Sequence, residues 1–379
     1  MNFANIKKPV IRLWTTAILL IFMVFLGCKA KDPVLLGFLA GTSGRVSDLG
    51  ISGRDAAQLA IEQCNQSGGV SGRKVRLIVK DDQQNPDVAR QAMRELISEG
   101  VVAIIGPMTS DMALAGTPIA NEGKILLLSP TATTESLSDM DDYFFRVTST
   151  TRNYASKGAG FLLKSGRMHR VAAAYDLNNR SFTENWIENF KNTFIELGGQ
   201  IVAAIGFDAL GDRTFLETAK ELLAAQPDGI MIIANSMDSA LLCQQIRKLD
   251  GNVGIALSDW GATERLLVLG GKAVEGVIVI QTFDRSNQNP RYQAFRKSFM
   301  ERYHQEPGFP GVNTYDAVQV ILAALRAQKN GQSLPDTILS INQFEGLQSD
   351  FSFNRFGDAQ RSQASISIVQ DRQFIVLEQ

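Results

Sequence analysis

Residues 101–111 read VVAIIGPMTSD, and this stretch decides the fold because it joins a strand, a loop and the start of a helix. Its first five residues are apolar and mostly β-branched, which is typical of a strand that is buried on both faces. The loop after them leads into a helical pattern at Asp111–Glu122, and another helical pattern at Pro86–Glu99 precedes the strand. A strand with a helix on either side predicts a parallel sheet that is covered by helices.

The same alternation extends in both directions along the chain. Before residue 130 the predicted strands are Val34–Leu39, Lys74–Lys80, Val101–Ile105 and Ile125–Ser129. The alternation then restarts, with predicted strands at Arg170–Tyr175, Gln200–Phe207, Gly229–Ala234, Gly254–Leu257 and Val277–Phe283. We therefore predict an α/β fold with two doubly wound parallel-sheet lobes that are joined by multiple hinge crossovers.

The C-terminal tail indicates how the chain divides between the lobes. Two β-rich segments, Phe351–Phe353 and Ala364–Glu378, are expected to pair with sheets that have already formed. We predict that lobe 1 contains residues 34–150 plus 283–349 and that lobe 2 contains residues 151–282 plus 350–379. The hinges are predicted near Thr148–Arg152, Thr282–Arg285 and Gln348–Phe351.

The N-terminus predicts export. Three basic residues precede an apolar run, Ala17–Gly27, that contains no charged residue. A basic region followed by a short apolar region is typical of a signal peptide, here residues 1–27. A membrane-spanning helix needs roughly 20 apolar residues, so an uncleaved anchor is the weaker alternative. The FLGC segment at 25–28 resembles a bacterial lipobox, which implies that Cys28 is acylated, that residues 28–33 form a linker, and that the protein is periplasmic or at the cell surface.

Composition excludes several classes of function. The 379 residues are 20% charged with a net charge of −1, and no basic region beyond the leader supports nucleic-acid binding. Both histidines, His169 and His304, are predicted to lie on the surface, and no cysteine spacing suits a metal site. We expect no catalysis, no metal and no cofactor. Cys64 and Cys243 fall in helical patterns that predict buried thiols, with a disulfide between the lobes as the alternative.

Two loops at predicted strand ends carry short hydroxyl side chains. They read GPMTSD at 106–111 and SPTATT at 129–134, and both lead into helices. A helix N-terminus offers unpaired N–H donors and a partial positive charge, so such loops favour carboxylate or phosphate ligands. The alternative interpretation is that Ser110 and Thr133 only cap their own helices.

A series of short motifs runs from the first strand to the last third of the chain. They read GFLAGTSG at 37–44, GGVSGR at 68–73, DD at 81–82, IGP at 105–107, SPTAT at 129–133, KAVEGV at 272–277 and TYDAV at 314–318. In this order and spacing, the chain from about Asp32 to the C-terminus resembles the type I periplasmic binding proteins of the branched-chain amino-acid (Leu/Ile/Val) receptor family. That family supplies the substrate-binding component of ABC importers.

The resemblance implies a set of ligand contacts. Ser110 and Thr133 would donate to a ligand carboxylate, and the carbonyl of Thr131 would accept from its ammonium group. Asp259 matches the acidic residue that pairs with the ammonium, although it could instead cap the following helix. Phe182 is the nearest match to an aromatic residue that the family places after the strand Arg170–Tyr175.

One departure from the family pattern concerns the ligand side chain. Where the family is rich in tyrosine after the strand Gly229–Ala234, this chain has NSMD at 235–238. Asn235 would therefore place a polar group where relatives have an aromatic wall, while Trp260 and Phe182 supply apolar surface.

The function implied by the resemblance is the capture of a small ligand, an amino acid or a related carboxylate, by hinge closure. The expected partners are an ABC permease in the cytoplasmic membrane and the lipid bilayer, through acylated Cys28. The alternatives are a sensory receptor of the same fold and a hydrolase that uses Ser110 or Ser181. The hydrolase is disfavoured because neither histidine lies at the carboxyl end of a predicted strand.

Overall fold

The first half of the chain forms a five-stranded parallel sheet. A computed structural model describes residues 31–361 and 364–378, so the predicted signal peptide and Cys28 lie outside the described residues. The strand order is β2-β1-β3-β4-β5, and every pairing is parallel. The elements are β1 Val34–Ala40, α1 Ser47–Gln66, β2 Val75–Asp81, α2 Pro86–Ser98, β3 Ala103–Ile105, α3 Ser110–Gly123, β4 Leu126–Ser129 and β5 Phe144–Arg146.

The second half repeats this arrangement. Its five parallel strands follow the order β7-β6-β8-β9-β10, which is the same winding as in the first sheet. The elements are α4 Thr151–Lys164, β6 Arg170–Asp176, α5 Arg180–Glu196, β7 Gln200–Phe207, α6 Phe215–Ala224, β8 Gly229–Ile233, α7 Ser236–Leu249, β9 Gly254–Leu257, α8 Glu264–Gly270 and β10 Ile278–Gln281. The predicted α/β fold with two wound sheets is confirmed.

Local chemistry explains where several helices begin. The side chain of Asn85 accepts from the backbone N–H groups of Asp87 and Val88, and Pro86 occupies the first helical position of α2. Thr214 and Glu217 form a reciprocal capping box at the start of α6. These helices start where they do because side chains satisfy N–H groups that have no partner within the helix.

The C-terminal third returns to the first sheet and then crosses again. The three helices α9 Pro290–Tyr303, α10 Gly308–Ala327 and α11 Leu334–Ile341 follow β10, and Tyr315 of α10 donates to Gln63 of α1. The remaining strands are β11 Ser352–Phe353, β12 Ala359–Gln360, β13 Ser365–Gln370 and β14 Gln373–Glu378.

The tail corrects one sequence expectation and confirms another. β11 does not join either large sheet, because it pairs with β12 in a two-stranded antiparallel ribbon. β13 and β14 do join the second sheet beside β10, but they run antiparallel and give it a mixed edge. The pattern of the tail specified strands but not their direction, since that direction depends on distant partners.

The ribbon also bears on the division into lobes. It packs on the first sheet, where the Arg146 guanidinium binds the Asp358 carboxylate at 2.7 Å and the Arg146 N–H donates to the Gly357 carbonyl. Arg361 then binds Asp316 of α10 at 2.9 Å. We propose that the third hinge lies between Arg361 and β13, about ten residues later than the sequence predicts.

Two further sequence expectations concern the cysteines and the membrane. Cys64 and Cys243 are buried and free, which confirms the expectation of buried thiols and removes the disulfide alternative. Burial raises the pKa of the Cys243 thiol to about 12. Among the described residues, no helix has the length and apolar character to cross a membrane.

Candidate ligand-binding site

The two sheets face each other across a cleft. Both sheets reverse their winding direction next to their first strand, which places a crevice at the carboxyl ends of β1 and β3 in one half and of β6 and β8 in the other. A cavity of about 20 Å³ lies in this cleft. Five of the seven predicted ligand contacts line it: Ser110, Thr131, Phe182, Asp259 and Trp260.

Neither Ser110 nor Thr133 caps its own helix. The Ser110 hydroxyl accepts from the N–H of Thr134 at 3.3 Å, which leaves its own hydrogen for another acceptor. Thr131 donates to the carbonyl of Met108. Thr133 lies beside the cavity rather than on it, and its carbonyl and hydroxyl accept from Thr151 at the start of α4. Capping therefore does not explain Ser110 or Thr133.

Asp259 is the buried acid of the site. It opens a 3₁₀ turn, Asp259–Gly261, at the end of β9, and its carboxylate accepts from the indole N–H of Trp186 at 2.9 Å. Its side chain does not cap the following helix, which removes that alternative. Burial raises the pKa of Asp259 to about 6, because the loss of water around the carboxylate outweighs the hydrogen bond from Trp186.

The apolar part of the cavity draws on both halves. Phe182 and Trp260 of the second half pack edge to face, with ring centroids 5.5 Å apart. The first half contributes side chains that the sequence analysis missed: Leu49, Met108, Thr109 and Phe309, and the second half adds Asn179. The loop that contains Met108 and Thr109 was identified, but no local pattern marks Leu49 or Phe309, since each is one apolar residue in the first turn of a helix.

Asn235 has another position. It caps α7, where its side chain accepts from the N–H of Asp238 at 3.0 Å and donates to the Asp238 carboxylate at 2.6 Å. Asn235 is not among the residues that line the cavity. Asn235 therefore caps α7 instead of placing a polar group in the ligand pocket, and the wall of the cavity remains apolar.

The two halves meet on one side of the cavity through a reciprocal pair of helix caps. The Asp111 carboxylate, at the start of α3, accepts from the N–H groups of Arg180 and Ser181, at 3.0 Å each, and from the Ser181 hydroxyl. In return, the Asn179 side chain accepts from the Asp111 N–H at 3.1 Å. We call these four residues, Asp111, Asn179, Arg180 and Ser181, the Asp111 clasp.

A second set of contacts joins the halves on the opposite side. The Asp48 carboxylate accepts from the hydroxyls of Ser236 and Thr263 at 2.6 Å each. Arg45 forms an ion pair with the buried Asp238. With both sides bridged, the cleft is closed. A cavity of about 20 Å³ is close to the volume that one water molecule requires, so a larger ligand enters only when the halves separate.

A larger cavity lies elsewhere. It is an open groove of about 640 Å³ on the outer side of α9 and α10, lined in part by Arg291, Phe295, Tyr315 and Phe344. Its buried acid, Asp316, is already paired with Arg361. We assign the ligand site to the smaller cavity, because that cavity joins the two halves and contains a buried acid that no cation among the described residues pairs with.

Catalytic and metal chemistry find little support in the part of the chain that the structure describes. No three histidine, cysteine or acidic side chains are grouped so that they would hold a metal ion there. His169 and His304 are exposed, as predicted, and neither lines the cavity.

Comparisons with known proteins agree with this geometry. Residues 33–370 match the family described as periplasmic binding protein. This chain belongs to that family. Periplasmic binding proteins bind solutes outside the cytoplasm, so the predicted solute-binding role is confirmed and is favoured over signalling. The family is a non-enzymatic class.

Individual relatives of this periplasmic binding protein are distant but cover most of the chain. It is similar to the Leu/Ile/Val-binding protein BraC3 of Rhizobium johnstonii, with 24% identity over 82% of this chain and 87% of that protein. A leucine binding protein, LivK, from Thermotoga maritima is 26% identical with a TM-score of 0.84, over 91% of this chain and 97% of that one. A solute-binding protein of R. palustris in complex with benzoate is 20% identical with a TM-score of 0.81, over 91% of this chain and 96% of that one.

Proposed function

We propose that this protein captures an α-amino acid in the cleft between its two halves and delivers it to an ABC permease. One observation carries the proposal: Asp259 is a buried carboxylate that lines the cavity, and its described hydrogen-bond partner is the neutral indole of Trp186. A buried charge is costly unless an opposite charge pairs with it. The ammonium group of an amino acid would supply that charge.

The same carboxylate argues against a simple aromatic acid as the ligand. A benzoate-binding protein shares this fold, and benzoate has a carboxylate but no ammonium group. Such a ligand would bring a second negative charge close to Asp259, and two close like charges repel in a buried site. An amino acid brings one charge of each sign.

The opposite wall supports the binding of the ligand carboxylate. The Ser110 hydroxyl retains a hydrogen to donate, and Ser110 is the first residue of α3, where the helix dipole favours an anion. We propose that the Thr131 carbonyl accepts from the ammonium group. Thr133 would hold this wall in place through its hydrogen bonds with Thr151. The apolar side chains of Leu49, Phe182 and Phe309 would then surround the ligand side chain.

Closure of the two halves provides the mechanism. A ligand that contacts Ser110 in one half and Asp259 in the other makes both sets of contacts only when the cleft is closed. It therefore shifts the population towards the closed form in proportion to its preference for that form. We infer that the exported protein is held at a membrane through acylated Cys28, close to its permease.

Calorimetry with a panel of ligands tests the proposal. We expect at least one of the common amino acids to bind with a Kd in the micromolar range or tighter, and benzoate to bind far more weakly. Asp259→Asn keeps the size of the side chain and removes its charge, so we expect at least a tenfold loss of affinity, about 1.4 kcal/mol.

The matched control is Asp87→Asn. Asp87 is also an aspartate in the first turn of a helix, but its side chain is 91% exposed and lies outside the cleft. Unchanged affinity in Asp259→Asn, or tight binding of benzoate with no binding of amino acids, would refute the proposed function.

A further inference from the structure

The indole N–H of Trp260 is a hydrogen-bond donor that the described residues leave unpaired. The Trp260 side chain lines the cavity and is only 5% exposed, and its indole N–H has no hydrogen-bond partner among the described residues. The other tryptophan of the site behaves differently, since the Trp186 indole donates to Asp259. A buried donor without an acceptor is costly, and most such groups in proteins find a partner.

The polar neighbours in the cavity are engaged elsewhere. The Thr109 hydroxyl donates to the side chain of Gln84 at 3.0 Å, and the Thr131 hydroxyl donates to the Met108 carbonyl. The Asn179 side-chain oxygen accepts from the Asp111 N–H as part of the Asp111 clasp. Ser110 and Asp259 belong to the proposed headgroup site. The remaining wall consists of Leu49, Met108, Phe182 and Phe309, which offer no strong acceptor.

We propose that Trp260 selects amino acids whose side chain carries a hydrogen-bond acceptor. This inference rests on the proposed function, because it assumes that the ligand headgroup is held by Ser110 and Asp259. Trp260 directly follows Asp259 in the 3₁₀ turn Asp259–Gly261, so its indole stands beside the headgroup site. A ligand with an oxygen on its side chain satisfies the indole N–H, whereas a purely aliphatic ligand leaves that donor buried and unpaired.

The pocket thus combines two demands on the ligand. Its wall favours a side chain that is mostly apolar, and the unpaired indole N–H of Trp260 favours an acceptor on that side chain. An ether, a carbonyl or a sulfoxide oxygen meets both demands. Leucine, isoleucine and valine meet only the first, so this protein is expected to prefer a different side-chain class from the one in the names of its Leu/Ile/Val-binding relatives.

Matched pairs of ligands isolate the hydrogen bond. O-methylserine differs from norvaline, and O-methylhomoserine from norleucine, by one oxygen in place of one CH₂ group, so shape is nearly constant within a pair. Titration calorimetry would measure all four amino acids on the wild-type protein and on Trp260→Phe, which keeps an aromatic ring and removes the N–H. In at least one pair, we expect the wild type to prefer the ether, and the ether-to-alkyl affinity ratio to fall about tenfold in Trp260→Phe.

The control variant is Trp186→Phe, whose indole binds Asp259 rather than the cavity. This variant is expected to weaken the binding of all four ligands by a similar factor and to leave the two ether-to-alkyl affinity ratios unchanged. The inference on Trp260 is overturned if the alkyl member of each pair binds more tightly to the wild type. It is also overturned if Trp260→Phe leaves both ether-to-alkyl affinity ratios unchanged. That second result is expected if a retained water molecule accepts from the indole N–H with every ligand. In either case the headgroup site stands, because amino acids still bind. If none of the four binds, the inference on Trp260 is overturned, whereas the proposed function is overturned only if the common amino acids also fail to bind.

Discussion

Removing the Asp111 clasp should open the protein in the absence of ligand. In Asp111→Ala, the N–H groups of Arg180 and Ser181 and the hydroxyl of Ser181 lose the carboxylate that accepts from them across the cleft. When the cleft is open, water satisfies the same groups in both the wild type and the variant. The substitution therefore acts mainly on the closed form.

The size of the effect follows from these contacts. Replacing an aspartate that caps a helix by alanine typically costs about 1 kcal/mol, with a range of about 0.5–2 kcal/mol. Here the acceptor caps α5 from the other half of the protein, so its loss raises the free energy of the closed form by about 1–2 kcal/mol. That corresponds to a roughly 5- to 30-fold rise in the ratio of open to closed molecules.

Small-angle X-ray scattering of the ligand-free protein measures this ratio through the radius of gyration. We expect a larger radius for Asp111→Ala, and a return to the wild-type radius at saturating ligand. Asp87→Ala is the matched control, because Asp87 lies in the first turn of α2 and pairs with Arg90 of the same helix. Equal radii for Asp111→Ala and the wild type, with both open or both closed, would refute this account of the Asp111 clasp.

Two further outcomes are expected. Since burial raises the pKa of Asp259 to about 6, and only the ionised carboxylate pairs with an ammonium group, affinity should be constant above that pH and weaken by up to tenfold per pH unit below it. Calorimetry between pH 4.5 and about 8 measures this pH dependence of the affinity. If the same dependence persists in Asp259→Asn, it belongs to another group, such as Asp176, whose pKa burial also raises to about 6. Separately, Asp358→Ala leaves the fully buried Arg146 guanidinium without its carboxylate, which should lower the free energy of unfolding by about 3 kcal/mol. Urea denaturation measures this free energy. A loss below about 1 kcal/mol would contradict the conclusion that Asp358 stabilises the fold by pairing with Arg146.

The alternation of strands and helices could be predicted because it depends on local patterns. Apart from β5 and the edge strands β2 and β7, each strand of the two parallel sheets is a short, mostly apolar run between helical patterns, and burial on both faces requires that composition. The direction of β13 and the pairing of β11 with β12 could not be predicted, since they depend on which distant strand edge is available. A local pattern does not contain that information.

The residues of the candidate site could likewise be predicted only in part. Ser110 was predicted from a hydroxyl-rich loop at a strand end, where the carboxyl ends of parallel strands form a crevice. Asp259 and Trp260 were predicted from the resemblance to the family, and all three residues line the cavity. Phe309 was missed because it reaches the cavity from a helix that begins about 200 residues after Ser110 in the chain. Asn235 was predicted to line the pocket because it matches the position where the family is rich in tyrosine, yet its side chain completes the cap of α7. Position after a strand thus indicates the crevice, and hydrogen bonding decides which side chains face it.

The most direct test of the central claim is a crystal structure of the protein with the tightest-binding amino acid. The account predicts that the ligand lies between the two halves, with its ammonium nitrogen about 3 Å from an Asp259 oxygen and its carboxylate beside the Ser110 hydroxyl. A ligand in the outer groove beside Arg291 and Phe344, or one that places its carboxylate against Asp259, would contradict it.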